Sequence, residues 1–319
     1  MENNGISARE IQLPWGGERI REQPGATGEK KCFFAQHLTI NCLGACAGNY
    51  STGVKRGKIT KTTEGNELYK HHQEAIAKIT AKMRRNEDVL ALIIAGSIAH
   101  GFAAADADVD IMIVVSREEY ERRYDEKKLV YYERECCNYE GGYIDGKYIS
   151  VDYIKEVAEN GSEPEKFAFK DAYIAFSRIP GLEELIKEAT RYPAEYKKAR
   201  MSWFYAKFHE WYWFYEEGLK KKNPYLVTTA IVNMVLCGGR AILAYNELLF
   251  PYHKWFLRVL ESAPQKPENL MSLLYRLLEE RSPAAAADLV KAIDGFTDWG
   301  IKSTDWPQFV MGKNELGVL

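Results

Sequence analysis

The chain of 319 residues has no excess of either charge: 43 Lys and Arg stand against 45 Asp and Glu, for a formal net charge of −2. A dedicated nucleic-acid binder usually carries a strong basic excess, so that class is disfavoured. Cysteine is scarce, six residues with two adjacent at Cys136 and Cys137. That is no disulfide framework for a chain of this length, and a reducing cytoplasm is the expected compartment. No run reaches the roughly 18 uninterrupted apolar residues of a membrane helix. The richest candidate, Tyr225 to Leu249, is broken by Asn233, Gly238-Gly239-Arg240 and Asn246, and is expected to be a buried helix of a soluble domain. The N-terminus lacks a basic start followed by an apolar core, so no secretory signal is expected. Internal repeats and low-complexity tracts are also absent, which leaves about two ordinary domains on length. Hydrophobic residues make up 46%, enough to build a large core.

Residues 1–63 show no sustained period of either kind and are expected to be an irregular or disordered leader. Within it Cys32, His37, Cys42 and Cys46 offer zinc-type ligands, but the spacing lacks the paired C-x-x-C knuckle of a strong zinc motif. From Asn66 to Arg85, Leu68, Ile76, Ile79 and Met83 recur at helical spacing. Asp88 to Ala95 and Asp108 to Val115 read as buried apolar strands. Ser116 to Glu119 reads as a capping box opening a charged helix to about Asp125, and Lys128 to Cys136 as strand-like. Asp145-Gly146 is a hairpin signal. Lys147 to Ile154 then alternates Tyr148, Ser150 and Asp152 against Ile149, Val151 and Tyr153, which predicts a third strand. Ala172 to Phe176 reads as a last strand and Leu182 to Thr190 as a helix. Composition shifts near Tyr192-Pro193. Beyond it the pattern is almost wholly helical, punctuated by Pro251, Pro264, Pro267 and Pro283. The expected division is a leader over 1–63, an α+β domain over 64–192 and a helical substrate-binding domain over 193–319.

The chemistry concentrates between residues 96 and 110. Gly96-Ser97 closes one apolar strand, and Asp108 and Asp110 open the next. Side chains alternate along a strand, so these two aspartates point the same way. Carboxylates held so close repel unless a cation lies between them. All-oxygen ligands suit magnesium, and magnesium suits a nucleoside triphosphate. Transfer of a nucleotidyl group needs donors for the triphosphate, cations for the developing charge and a group that takes the acceptor's proton. Gly96 lets backbone approach a phosphate without a Cβ in the way, and Ser97 adds its hydroxyl and N–H. Asp152, on the third expected strand, is the candidate third carboxylate.

Gly-Ser, ten residues, then Asp-x-Asp followed by apolar residues resembles the DNA polymerase β-like nucleotidyltransferase superfamily, and Ala99-His100-Gly101 resembles the small-basic-Gly step within that gap. The resemblance implies an α+β fold, with a mixed sheet flanked by helices and three carboxylates binding two magnesium ions. Carried onto this chain, Gly96 and Ser97 contact phosphate, and Asp108, Asp110 and Asp152 hold metal. The helical half is similar in kind to the second domain of kanamycin- and lincosamide-type antibiotic nucleotidyltransferases. The family usually has serine before the first aspartate, where this chain has Ala107, so the loop loses one hydroxyl. ATP as donor is implied by the resemblance alone.

Among other residues, His100 either touches phosphate or closes the short turn. Of Arg240, Lys254 and Arg258, Lys254 is the candidate for the triphosphate, because it follows the helix-stopping Pro251. The aromatic band from Trp203 to Tyr215 is mostly helix packing, with a few rings free to line an acceptor pocket. Cys136, Cys137 and Cys237 read as buried thiols. The expected activity is magnesium-dependent transfer of a nucleoside monophosphate to a hydroxyl of a small molecule. The alternatives are a non-catalytic nucleotide-binding or toxin-neutralising module, or transfer onto RNA or protein.

Overall fold

The computed structural model describes residues 60–61 and 67–312, all within the compact unit Gly57–Leu319. The leader's Cys32, His37, Cys42 and Cys46 lie outside the described residues. In chain order the elements are β1 (Thr60–Lys61), β2 (Glu67–Leu68), α1 (Lys70–Arg85), β3 (Val89–Ile94), α2 (Gly96–Ala99), β4 (Val109–Val115), α3 (Arg117–Asp125), β5 (Val130–Glu133), β6 (Ile144–Ser150), α4 (Val151–Asn160), α5 (Glu163–Phe169), β7 (Tyr173–Ser177), α6 (Leu182–Ala189), α7 (Lys197–Lys220), α8 (Pro224–Tyr245), α9 (Phe256–Glu261), α10 (Leu270–Glu280), α11 (Pro283–Asp294) and α12 (Trp306–Gly312).

β1 and β2 form a two-residue antiparallel pair. The other five strands make one mixed sheet in the order β5-β6-β4-β3-β7. β4 and β6 are parallel, joined by a crossover through α3 and β5, and the remaining pairs are antiparallel. This is the α+β class expected, with a largely helical C-terminal region. β3 and β4 are buried on both faces, which is why they read as unbroken apolar runs. One face packs Leu92, Ile94, Ile111 and Ile113 against Ala75, Ile79 and Met83 of α1. The other packs Ile93, Met112 and Val114 against Ile154 and Val157 of α4 and Leu182 and Ile186 of α6. A third core joins α7 to α11, with Phe208, Met234, Leu260, Leu274 and Leu289 at its centre. α8 is, among the described residues, the one helix long and apolar enough to cross a membrane. Here it is sequestered in this core, with Ala230, Ile231, Met234 and Ile242 buried.

Two expectations around β6 are corrected. Asp145-Gly146 is no hairpin turn; both residues lie inside the strand. A Cβ on Gly146 would meet Ile111 Cγ1 at 2.7 Å and Tyr131 Cβ at 3.1 Å, so glycine is kept where neighbouring strands fill the side-chain space. The strand expected over 147–154 ends at Ser150. The Ser150 hydroxyl accepts from Tyr153 N at 3.1 Å and caps α4. Asp152 therefore lies in the first helical turn, where an acid suits the helix dipole. The alternation read through 148–153 spans a strand end and a helix start. α5 was not anticipated, although Ser162 and Glu165 form a complete capping box with Pro164 in the first turn.

Candidate active site

The turn after β3 is set by close approach of backbone to a carboxylate. Ala95 N donates to Asp110 O at 3.0 Å. Gly96 has φ +62°, and a Cβ there would lie 1.7 Å from Asp110 Oδ2. No other residue fits, by both conformation and space. Ser97 follows in the single turn of α2, its backbone N–H donating to Asp110 and its Oγ buried without a hydrogen-bond partner.

β4 and β6 run parallel with Asp110 opposite Asp145. Asp108 precedes β4 by one residue. One oxygen from each of Asp108, Asp110 and Asp145 lies within 4.8 Å of the others, all three side chains being partly buried. Burial, then the charges of Asp108 and Asp145, push the Asp110 carboxyl up to about 7. Burial and Asp108 also raise Asp145. The cluster is costly to charge by itself. Three converging hard oxygen donors fit a divalent cation.

Two ammonium groups act on this cluster. Lys254, in the 3₁₀ turn His253–Trp255, draws down the pKa of both Asp110 and Asp145. Lys147, two residues beyond Asp145 on the same face of β6, feels Asp110, Glu165 and Asp145, while burial lowers its own pKa. The loop before Asp108 is braced from outside. His71 Nε2 lies 2.7 Å from Ala105 O, and the Tyr139 hydroxyl donates to Ala107 O at 2.8 Å. This bracing holds the loop although position 107 lacks a hydroxyl. His72 beneath it is fully buried, and burial followed by the neighbouring His71 drops its pKa to about 4.

Gly96, Ser97, Asp108 and Asp110 are thus brought together, and the charge of Lys254 acts on Asp110. Asp152 is not the third member of the cluster. It follows the opposite end of β6 from Asp145, its carboxylate half-exposed between Arg117 Nη1 at 3.7 Å and Lys155 Nζ at 3.6 Å. The residue sequence reasoning missed is Asp145, read as a turn-former. A glycine inside a strand-like run, marking close backbone packing, was the available signal. Lys147 was missed too. His100 is committed elsewhere: its Nδ1 lies 3.1 Å from Asp171 Oδ2, and its ring packs on Phe167 at 4.5 Å. Arg240 is buried against Glu163, and Arg258 lies over the Phe102 ring at 4.1 Å. Trp203, Phe204, Tyr205, Phe208 and Tyr215 of the aromatic band are buried in the helical core, whereas Trp213 is exposed.

Residues 76–168, which carry the Gly96-Ser97 turn and Asp108, Asp110 and Asp145, match the family model described as nucleotidyltransferase domain. Among solved structures, a nucleotidyltransferase-like protein from Exiguobacterium sibiricum 255-15 is similar, with a TM-score of 0.42 and 11% identity over 76% of this chain and 80% of that one. No curated protein matches.

Proposed function

From a chain that carries a nucleotidyltransferase domain and a cluster of three acids, we propose a magnesium-dependent enzyme. It moves a nucleoside monophosphate from a nucleoside triphosphate, ATP in our reading, to a hydroxyl of a small molecule and releases pyrophosphate. The observation that carries this is the convergence of Asp108, Asp110 and Asp145 beside the Gly96-Ser97 turn. These three residues would hold magnesium, which when bound supplies positive charge for the phosphoryl oxygens. Gly96 fits its backbone closely against Asp110, and the free Ser97 hydroxyl donates to phosphate. Lys254, whose charge already acts on Asp110 and Asp145, offers its ammonium to the triphosphate. A carboxylate oxygen of Asp145 accepts the proton of the acceptor hydroxyl. The acceptor oxygen then bonds the α-phosphorus as the bond to pyrophosphate breaks. The near-neutral charge supports a small acceptor over nucleic acid, and the antibiotic class is the first to try.

The test measures pyrophosphate release from ATP and magnesium over aminoglycosides, lincosamides, tRNA and proteins. Release that depends on one small-molecule class is expected. Release with tRNA or protein alone overturns the acceptor assignment. No release with any acceptor, together with no binding of ATP, overturns the enzymatic reading.

A further inference from the structure

Lys254 sits on an exposed turn, its Nζ 5.2 Å from the Trp255 ring, and its charge acts on Asp110 and Asp145. What holds it there is a segment, residues 249–258, fastened at both ends. At the start, Phe250 N donates to Glu163 Oε2 at 2.8 Å. Glu163 is itself buried at 6% exposure. Its other oxygen, Oε1, lies 3.3 Å from Arg240 Nη2 and 3.5 Å from Arg200 Nη1. The Arg240 guanidinium is held between the Phe204 and Phe250 rings, 4.1 and 4.5 Å from their centroids. At the far end, the Trp255 ring lies 5.1 Å from Phe102, and Arg258 Nη1 donates to Phe102 O at 3.4 Å. Phe102 N in turn bonds Ser97 O at 2.8 Å, so this end is tied to the Gly96-Ser97 turn. Between the fastenings, Tyr252 adopts φ +64°, ψ −179°. A tyrosine does not hold that conformation without surrounding restraint. Glu163 stands on α5, in the sheet-bearing half, and its partners stand on α7, α8 and the segment itself.

We propose that Glu163 is a positioning residue: by binding the Phe250 amide together with the Arg240 and Arg200 guanidiniums, it sets segment 249–258 so that the Lys254 ammonium faces Asp110, Asp145 and a bound triphosphate. This rests on the reading of the site as a triphosphate site. It adds that the packing of the helical region is transmitted to that site through one buried carboxylate. A buried charge of this kind is costly to unpair, so it acts as a fixed joint.

The probe is the magnesium complex of α,β-methylene-ATP, titrated by calorimetry against wild type, Glu163→Gln, Lys254→Met and the double variant. Lys254→Met and Glu163→Gln should each weaken binding about tenfold, as loss of a charge-assisted contact does. In the Lys254→Met background, Glu163→Gln should add less than about twofold, because the group it positions is gone. A merely structural role for Glu163 would weaken binding equally in both backgrounds, and that result overturns the inference. So does unchanged affinity in Glu163→Gln. If wild type does not bind the analogue at all, the site reading itself falls and takes this inference with it. Should Glu163→Gln fail to fold, the same cycle is run with Phe102→Leu, which loosens the far end and is read by the same criterion.

Discussion

Asp110→Asn should make the metal-free protein more stable while removing its activity, and the size of the gain follows from the geometry. Asp110 is enclosed by the Gly96 turn and shares its cluster with Asp108 and Asp145. Burial, and then those two neighbours, raise its pKa from 3.8 to about 7. A rise of about three pH units corresponds to about 4 kcal/mol of folding free energy set against the ionised form. The sign follows. Below pH 4 the carboxyl is neutral in both folded and unfolded chains and costs nothing. As pH climbs from about 4 to about 7 the unfolded chain ionises first and stability is lost. Above about 7 the loss is complete and constant. Asparagine keeps an oxygen for the Ser97 N–H and places its NH₂ toward the remaining carboxylates, so the charge penalty vanishes. Allowing for burial of the amide, a gain of about 2 kcal/mol is expected at pH 8. For a chain of this size that is about 4–8 °C in Tm. The assay is thermal unfolding of both proteins in EDTA from pH 4 to 8.5. The variant should be the less stable near pH 4, cross the wild type between pH 4 and 7 and run parallel above it at higher pH. Magnesium should raise the wild-type Tm and affect the variant less, since an ion stabilises only the state that binds it. A variant no more stable than wild type at pH 8, or equally displaced at every pH, refutes the argument.

Two further outcomes are expected. Asp145→Asn should lower pyrophosphate release by about 100-fold or more, whereas Asp152→Asn, half-exposed between Arg117 and Lys155, should change it less than about twofold; a reversed ranking in the same assay restores Asp152 to the site. Gly96→Ala forces a Cβ into Asp110 Oδ2 at a positive φ and should cost about 3 kcal/mol in urea unfolding, a loss that Ser97→Ala should not show.

What could be read early was what is local. The apolar runs 89–94 and 109–115 announce strands because both their faces are buried. The Ser116 cap of α3 is visible because its hydroxyl bonds a residue three positions on, Glu119 N at 3.2 Å. Asp145 was lost to a true but incomplete rule. Asp-Gly favours a turn in isolation, yet the space that excludes a side chain at 146 is created by Ile111 and Tyr131 from other strands. Asp152 was gained falsely because strand alternation and a helix N-terminus happen to continue each other across Ser150. Lys254 was reached only from the proline before it. Nothing in its neighbourhood along the chain reveals Glu163, 87 residues away from the Phe250 amide it holds.

By itself, the sequence determined that Asp108 and Asp110 lie two residues apart at the start of a strand and follow a glycine turn, since a period of two and a missing Cβ are properties of adjacent residues. Which third carboxylate joins them, and which lysines act on them, was decided only in the folded chain. The parallel register of β4 on β6 brings Asp145 beside Asp110, and Lys254 reaches the cluster from a segment whose Phe250 amide bonds Glu163. Both depend on contacts between parts of the chain that meet only when the cores close.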